Sequence, residues 1–138
     1  MRLPAILALT VALVACGGHA TRSAEDTARA WSAALDRSDN DAAADVFAPL
    51  AEVIQNGRIV LRTHDAAARF NASLPCGGRI IRVVREREDQ VLVVFRLTER
   101  PGHICDAPGS DAAAVFRVEH GKIVLWHQVE VPAEPPDV

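Results

Sequence analysis

"HGKIVLWHQ", residues 120–128, sets a two-residue turn signal ahead of an apolar run that ends at Trp126 and a polar pair. The residues before it, "DAAAVFRVE", and the run "KIVLWHQVEV" after the turn are rich in β-branched and aromatic side chains, and together they read as a hairpin. Side chains alternate along a strand. On the last strand, alternation therefore puts Val124 and Trp126 on one face, and Ile123, Leu125, Val129 and Val131 on the other. Both faces are apolar in places. An antiparallel sheet with one face in water would alternate more cleanly. One face is expected to pack on helices and the other on a partner.

Working back from this hairpin, "GRIIRVVRER" and "QVLVVFRLTER" form a second one, turning at Glu88-Asp89. Earlier still, "AEVIQ-NG-RIVL" is a short hairpin candidate, because Asn-Gly suits a tight turn with positive φ. Three helices precede or interrupt these strands. Ser23 can cap the first, with Asp26 three residues on, and Thr27, Ala28, Trp31 and Leu35 then fall at helical spacing. Asp39 or Asn40 caps a shorter helix that carries Ala43, Val46 and Phe47 and stops at Pro49. Thr63 caps the third, with Ala67, Phe70 and Leu74 on one face and Pro75 at its end.

The order is helix, helix, two short strands, helix and four long strands. With the Trp31 helix, "DNDAAADVFAP", the Phe70 helix and "HGKIVLWHQ", it resembles the NTF2-like cone fold and, within it, the SnoaL-like group. The likeness covers about residues 23–131. It implies an α+β domain, a strongly curved antiparallel sheet packed on three N-terminal helices, with a pocket between them. It also implies dimerisation through the outer sheet face. By the same resemblance Trp126 and Gln128 look into the pocket and His127 looks outward. Trp31, Phe70, Trp126 and Gln128 are the expected ligand-binding residues.

At the N-terminus, Arg2 is followed by an apolar run from Leu3 to Ala15. A bilayer core needs about 20 such residues, so this run is too short to span one. It reads as a secretory signal. Its end, "LVAC", resembles the lipobox of bacterial lipoproteins. That likeness implies a signal peptide over 1–15, lipidation of Cys16, a lipidated tether over 16–22 and a domain anchored in the bacterial cell envelope, outside the cytoplasm. Two or three acyl chains anchor stably where one is marginal. Residues 132–138 read as a proline-rich disordered tail.

Three cysteines are an odd number, and lipidation of Cys16 leaves Cys76 and Cys105 as a pair. Oxidising compartments permit a disulfide. If the long hairpin pairs positions summing to 177, Cys76 lies opposite position 101, and Cys105 follows just past the Pro101-Gly102 bend. Two buried thiols or two metal ligands are the alternatives. For a metal, His103 is near, but no fourth ligand stands at a recognisable spacing.

The 138-residue chain carries a net charge of -3, and Lys122 is its one lysine. No basic block is present, so nucleic acid is not an expected partner. The resemblance brings several enzymes within reach, and the residues can be tested against them. An isomerase of this fold uses a tyrosine to hold the enolate; this chain has none. An epoxide hydrolase of this fold has an Asp after Trp-basic on the last strand; that place holds Gln128. His127 is the remaining acid–base candidate. The expectation is a lipoprotein whose domain binds a small apolar ligand or a protein partner, without catalysis, cofactor or metal. The alternative is a SnoaL-like cyclase, isomerase or hydrolase acting on a polycyclic or lipid-like substrate.

Overall fold

The computed structural model describes residues 21–137. Cys16, the 1–15 leader and the first part of the tether lie outside them. Among the described residues no helix is long and apolar enough to cross a membrane.

The elements are α1 (Ala24–Asp36), α2 (Asn40–Asp45), β1 (Phe47–Ile54), β2 (Arg58–Leu61), α3 (His64–Ser73), β3 (Gly77–Arg87), β4 (Gln90–Thr98), β5 (Asp111–Glu119) and β6 (Lys122–Val129). Local chemistry starts each helix. Ser23 accepts from the Asp26 amide, Asp39 from Ala42 and Thr63 from Ala66. These side-chain oxygens satisfy amides that a helix start leaves free. The end of α1 is less local. Ser38 takes the left-handed conformation at φ 56°, which glycine usually supplies. The Asp39 amide donates to Ala34 and the Ser38 amide to Leu35. Ser38 Oγ donates to the Pro101 carbonyl at 2.6 Å and accepts from Arg100, which offsets the conformational cost.

Six strands form one sheet in the order β2-β1-β6-β5-β4-β3. It is mixed and not wholly antiparallel: β1 runs parallel to β6. The expected all-antiparallel pairing fails here because the chain returns to β1 only after α3 and four intervening strands. Phe47 also departs from expectation. It opens β1 rather than ending α2, and Pro49 sits inside that strand. Pro lacks an amide and is confined to edges and bulges in sheets. The register indeed breaks between Phe47 and Glu52, with Leu50 at φ 64°.

Bulges also bend β3 and β6. In β3 the register with β4 shifts between Ile80 and Arg82, and again between Arg85 and Arg87. The hairpin turns at Glu88-Asp89 as expected, but the two shifts bring Gly77 opposite Thr98. Cys76 is therefore carried toward Glu99 rather than position 101. In β6, Val118 pairs with Ile123 and Arg117 with Leu125, leaving Val124 as the extra residue. Each bulge adds bend and twist, and the sheet curves around α1 without closing.

The β6 bulge corrects the face assignment. Ile123 and Trp126 both belong to the core, with exposures of 0% and 6%. Strict alternation had placed them on opposite faces. One inserted residue reverses the parity of everything before it.

Candidate functional site

Helix α1 lies across β3, β4, β5 and β6. Its buried stripe of Thr27, Ala28, Trp31, Ser32 and Leu35 faces the concave side of the sheet. Gly77 and Gly78 permit this close approach. A Cβ on Gly77 would lie 2.6 Å from Asp36 Oδ1, and one on Gly78 would lie 3.1 Å from Phe95. Asp36 accepts instead from the Gly78 amide at 2.8 Å. Partial burial raises the Asp36 pKa from its ordinary value, opposed by the Gly78 hydrogen bond and by the positive charge of Arg100.

Aromatic rings meet under the helix. Trp31 packs on Phe116 at 5.3 Å, on Trp126 at 5.9 Å and on Phe95 at 6.1 Å between ring centroids. Phe70 packs edge-on to Trp126 at 5.2 Å and to Phe47 at 6.0 Å. Offset and edge contacts of this kind each add about 0.5–1.5 kcal/mol beyond area burial.

Between this cluster and the sheet end opens a cavity of about 610 Å³. Trp31, Leu35, Phe95, Leu97, Ala114 and Trp126 form its apolar wall, and Gln55, Asp106 and Gln128 stand among its polar residues. Three of the four expected pocket residues border it. Phe70 does not: it lies on the far side of Trp126, filling the core against Phe47. Gln128 is exposed rather than buried. It accepts from Gln55 Nε2 at 2.9 Å. Trp126 and Gln128 share a face because β6 is regular beyond its bulge. His127 alternates to the other face, opposite Val115, and is half-buried along the same rim.

The two tryptophans differ in their polar ends. Trp31 Nε1 donates to Asn71 Oδ1 at 2.7 Å, and Asn71 Nδ2 donates to the Ala67 carbonyl. Asn71 is fully buried, so the "NAS" sequence at 71–73 presents no side chain for glycosylation. Trp126 Nε1 is closed off from solvent and has no hydrogen-bond partner among the described residues.

Behind the wall, Arg100 is 3% exposed. Nη1 donates to the Asn71 and Leu74 carbonyls, both at 2.9 Å. Nη2 donates to Asn40 Oδ1 and Nε to Ser38 Oγ, at 2.6 and 3.0 Å. Burial lowers the Arg100 pKa from its usual value and the Asp36 charge opposes that shift; an arginine stays charged regardless. A Cys76–Cys105 disulfide fastens the loop that follows Arg100, with an S–S distance of 2.09 Å. Asp106 Oδ1 lies 3.5 Å from the Cys76 sulfur. Cys76, Cys105 and Asp106 are close enough to suggest a metal cluster, but thiols joined in a disulfide are not thiolate ligands.

Arg100, Asn71, Gln55 and Asp106 were not singled out in the sequence. The only available signal was an arginine directly before Pro-Gly, within the cysteine-bearing loop.

The SnoaL-like domain family matches residues 28–126, well over half of the chain. The chain belongs to the SnoaL-like family. Comparison with curated proteins returns no match. Solved structures share the fold. An NTF2-like protein of unknown function from Cytophaga hutchinsonii superposes with a TM-score of 0.62 at 12% identity, over 77% of this chain and 88% of that one. A protein from Sinorhizobium meliloti described as a putative polyketide cyclase gives 0.61 at 20% identity, over 75% and 94%. A protein with a ketosteroid isomerase-like fold from Catenulispora acidiphila, in complex with trimethylamine, gives 0.60 at 17% identity, over 76% and 85%. At such identities the likeness is one of fold.

Proposed function

We propose that this SnoaL-like domain is a lipid-anchored envelope module that binds a small apolar ligand in the cavity bordered by Trp31 and Trp126, without catalysing a reaction on it. The observation that carries the reading is the cavity itself. Its volume of about 610 Å³ lies within the range of roughly 300–1,000 Å³ typical of small-molecule sites. Its inner wall is aromatic and aliphatic, and its ionisable groups, Asp106 and His127, border it without a hydrogen bond to each other. Trp31 and Trp126 are the two tryptophans of the chain, so intrinsic fluorescence reports directly on the site. Native mass spectrometry of the purified protein, with fluorescence before and after organic extraction, is the test. A co-purifying apolar molecule whose removal shifts the emission is the expected result. A chain that carries no such molecule, and whose emission no apolar compound alters, overturns the reading.

The anchor is part of the same proposal and rests on "LVAC" at 13–16. Fatty-acid labelling should be lost on Cys16→Ser. Equal labelling of both chains would remove the anchor and the envelope location with it. A homodimer through the outer sheet face belongs here too. Val84, 41% exposed, begins a cross-strand row with Leu92, Val115 and His127 on that face. Val84→Glu should lower the sedimentation coefficient, and a wild-type protein that sediments as a monomer at every concentration refutes it.

A second reading keeps the same cavity and makes Asp106 or His127 an acid or base. The neighbour described as a putative polyketide cyclase favours it. Turnover of a polycyclic compound, abolished by Asp106→Asn or His127→Gln, would replace the binding proposal with this one.

A further inference from the structure

We infer that the cavity selects an apolar amine: a compact hydrocarbon body against the wall that includes Trp31, Leu35 and Trp126, with its ammonium group at the mouth against Asp106. The inference rests on the binding reading above and adds the charge of the ligand.

Four observations carry it. First, Asp106 is the one carboxylate bordering the cavity, it is exposed, and it makes no salt bridge among the described residues. Among the described residues no Lys or Arg borders the cavity. Second, the guanidinium of Arg100 is buried and committed elsewhere. Ser38, Asn40, Asn71 and Leu74 take its hydrogen bonds. Third, three donors in the wall are committed to the protein, and Trp126 Nε1 is a single neutral N–H without a partner among the described residues. The Gly78 amide donates to Asp36, Ser32 Oγ to the Gly78 carbonyl and Gln55 Nε2 to Gln128. An entering carboxylate would surrender its hydration and find few donors in return, which is a costly exchange. Fourth, Trp31 and Trp126 border the space and offer the hydrocarbon body an apolar surface. His127 is the one base on the rim, and it alternates to the opposite face of β6 from Trp126 and Gln128.

The geometry thus separates the two parts of an amphiphilic ligand. The apolar body is desolvated by Trp31, Leu35 and Trp126. The charged head stays at the exposed mouth, where a hydrated ammonium loses little water and still feels the Asp106 carboxylate. Such a contact is weakened by salt.

The test uses three rigid probes of one shape: 1-adamantanamine, 1-adamantanol and 1-adamantanecarboxylate. Each is titrated into the purified full chain and read by tryptophan emission. The amine should bind about tenfold more tightly than the carboxylate, with the alcohol between them. Asp106→Asn should bring the amine down to the affinity of the alcohol and leave the alcohol unchanged. Equal binding of all three, tighter binding of the carboxylate, or an Asp106→Asn chain that keeps the amine preference would each overturn the inference while leaving the cavity as a binding site. Failure of all three probes to bind would overturn the inference, and the binding reading is then decided separately by the co-purification test above.

Discussion

On the helix wall of the cavity, Trp31 donates to Asn71, Asn71 to Ala67, and Arg100 to two carbonyls and two side chains. On the sheet wall, Trp126 has a buried N–H with no partner among the described residues, and Gln128 is exposed and bonded to Gln55. The same residue types stand in opposite conditions a few ångströms apart. A satisfied buried network fixes one arrangement of α1, α3 and the cysteine loop. An unsatisfied one adds nothing to the fold and leaves hydrogen-bonding capacity unspent. The helix wall is built for position, and the sheet wall is where a ligand has something to gain.

The comparison can be broken most directly at Arg100. Arg100→Met should cost about 3–5 kcal/mol in urea unfolding, since it leaves buried carbonyls of Asn71 and Leu74 without donors. A loss below about 1 kcal/mol would mean that solvent replaces those bonds and that the helix wall is less sealed than its burial indicates. Next in size is the disulfide. Replacing Cys76 and Cys105 together by Ser reopens a loop of 29-residue separation, for an expected loss of about 3–4 kcal/mol in the chain-entropy account. A much smaller loss would show that Arg100 and Ser38 hold the loop alone.

The two tryptophans sharpen the contrast within one substitution type. Trp31→Phe strands Asn71 Oδ1 in the core and should destabilise by about 1–3 kcal/mol, with cavity formation adding to it. Trp126→Phe removes a donor that has no partner. Its packing loss is offset by the desolvation it no longer suffers, so the expected change is below about 1 kcal/mol. Thermal unfolding of the two variants side by side decides this. If Trp126→Phe is the more harmful, its indole N–H makes an interaction that the contrast between the walls leaves out.

How far the sequence reached differs from residue to residue. The caps at Ser23, Asp39 and Thr63 were legible because each depends on a side chain and an amide three residues apart. The His120-Gly121 turn was legible because a tight hairpin turn needs two adjacent residues at positive φ, which both adopt. Trp126 and Gln128 shared a face as read, because only one residue separates them. Ile123 did not follow alternation, because the bulge at Val124 lies between it and Trp126. Phe47 matched the helical spacing of α2, yet pairing with Ile123 of β6 drew it into β1.

By itself the sequence determined the order of elements, the helix starts, the tight turns and the family resemblance, and it offered the Cys76–Cys105 pairing beside two alternatives, buried thiols and metal ligands. These follow from interactions within a few residues, or from patterns that persist along a whole element. Tertiary structure alone decided the parallel β1–β6 pairing, the bulges that reset parity, the Arg100 network, and the position of Asp106 at the mouth of an aromatic cavity. Each of these depends on which distant segments share a surface, and a bulge or a buried donor gains its energy only after that surface has formed.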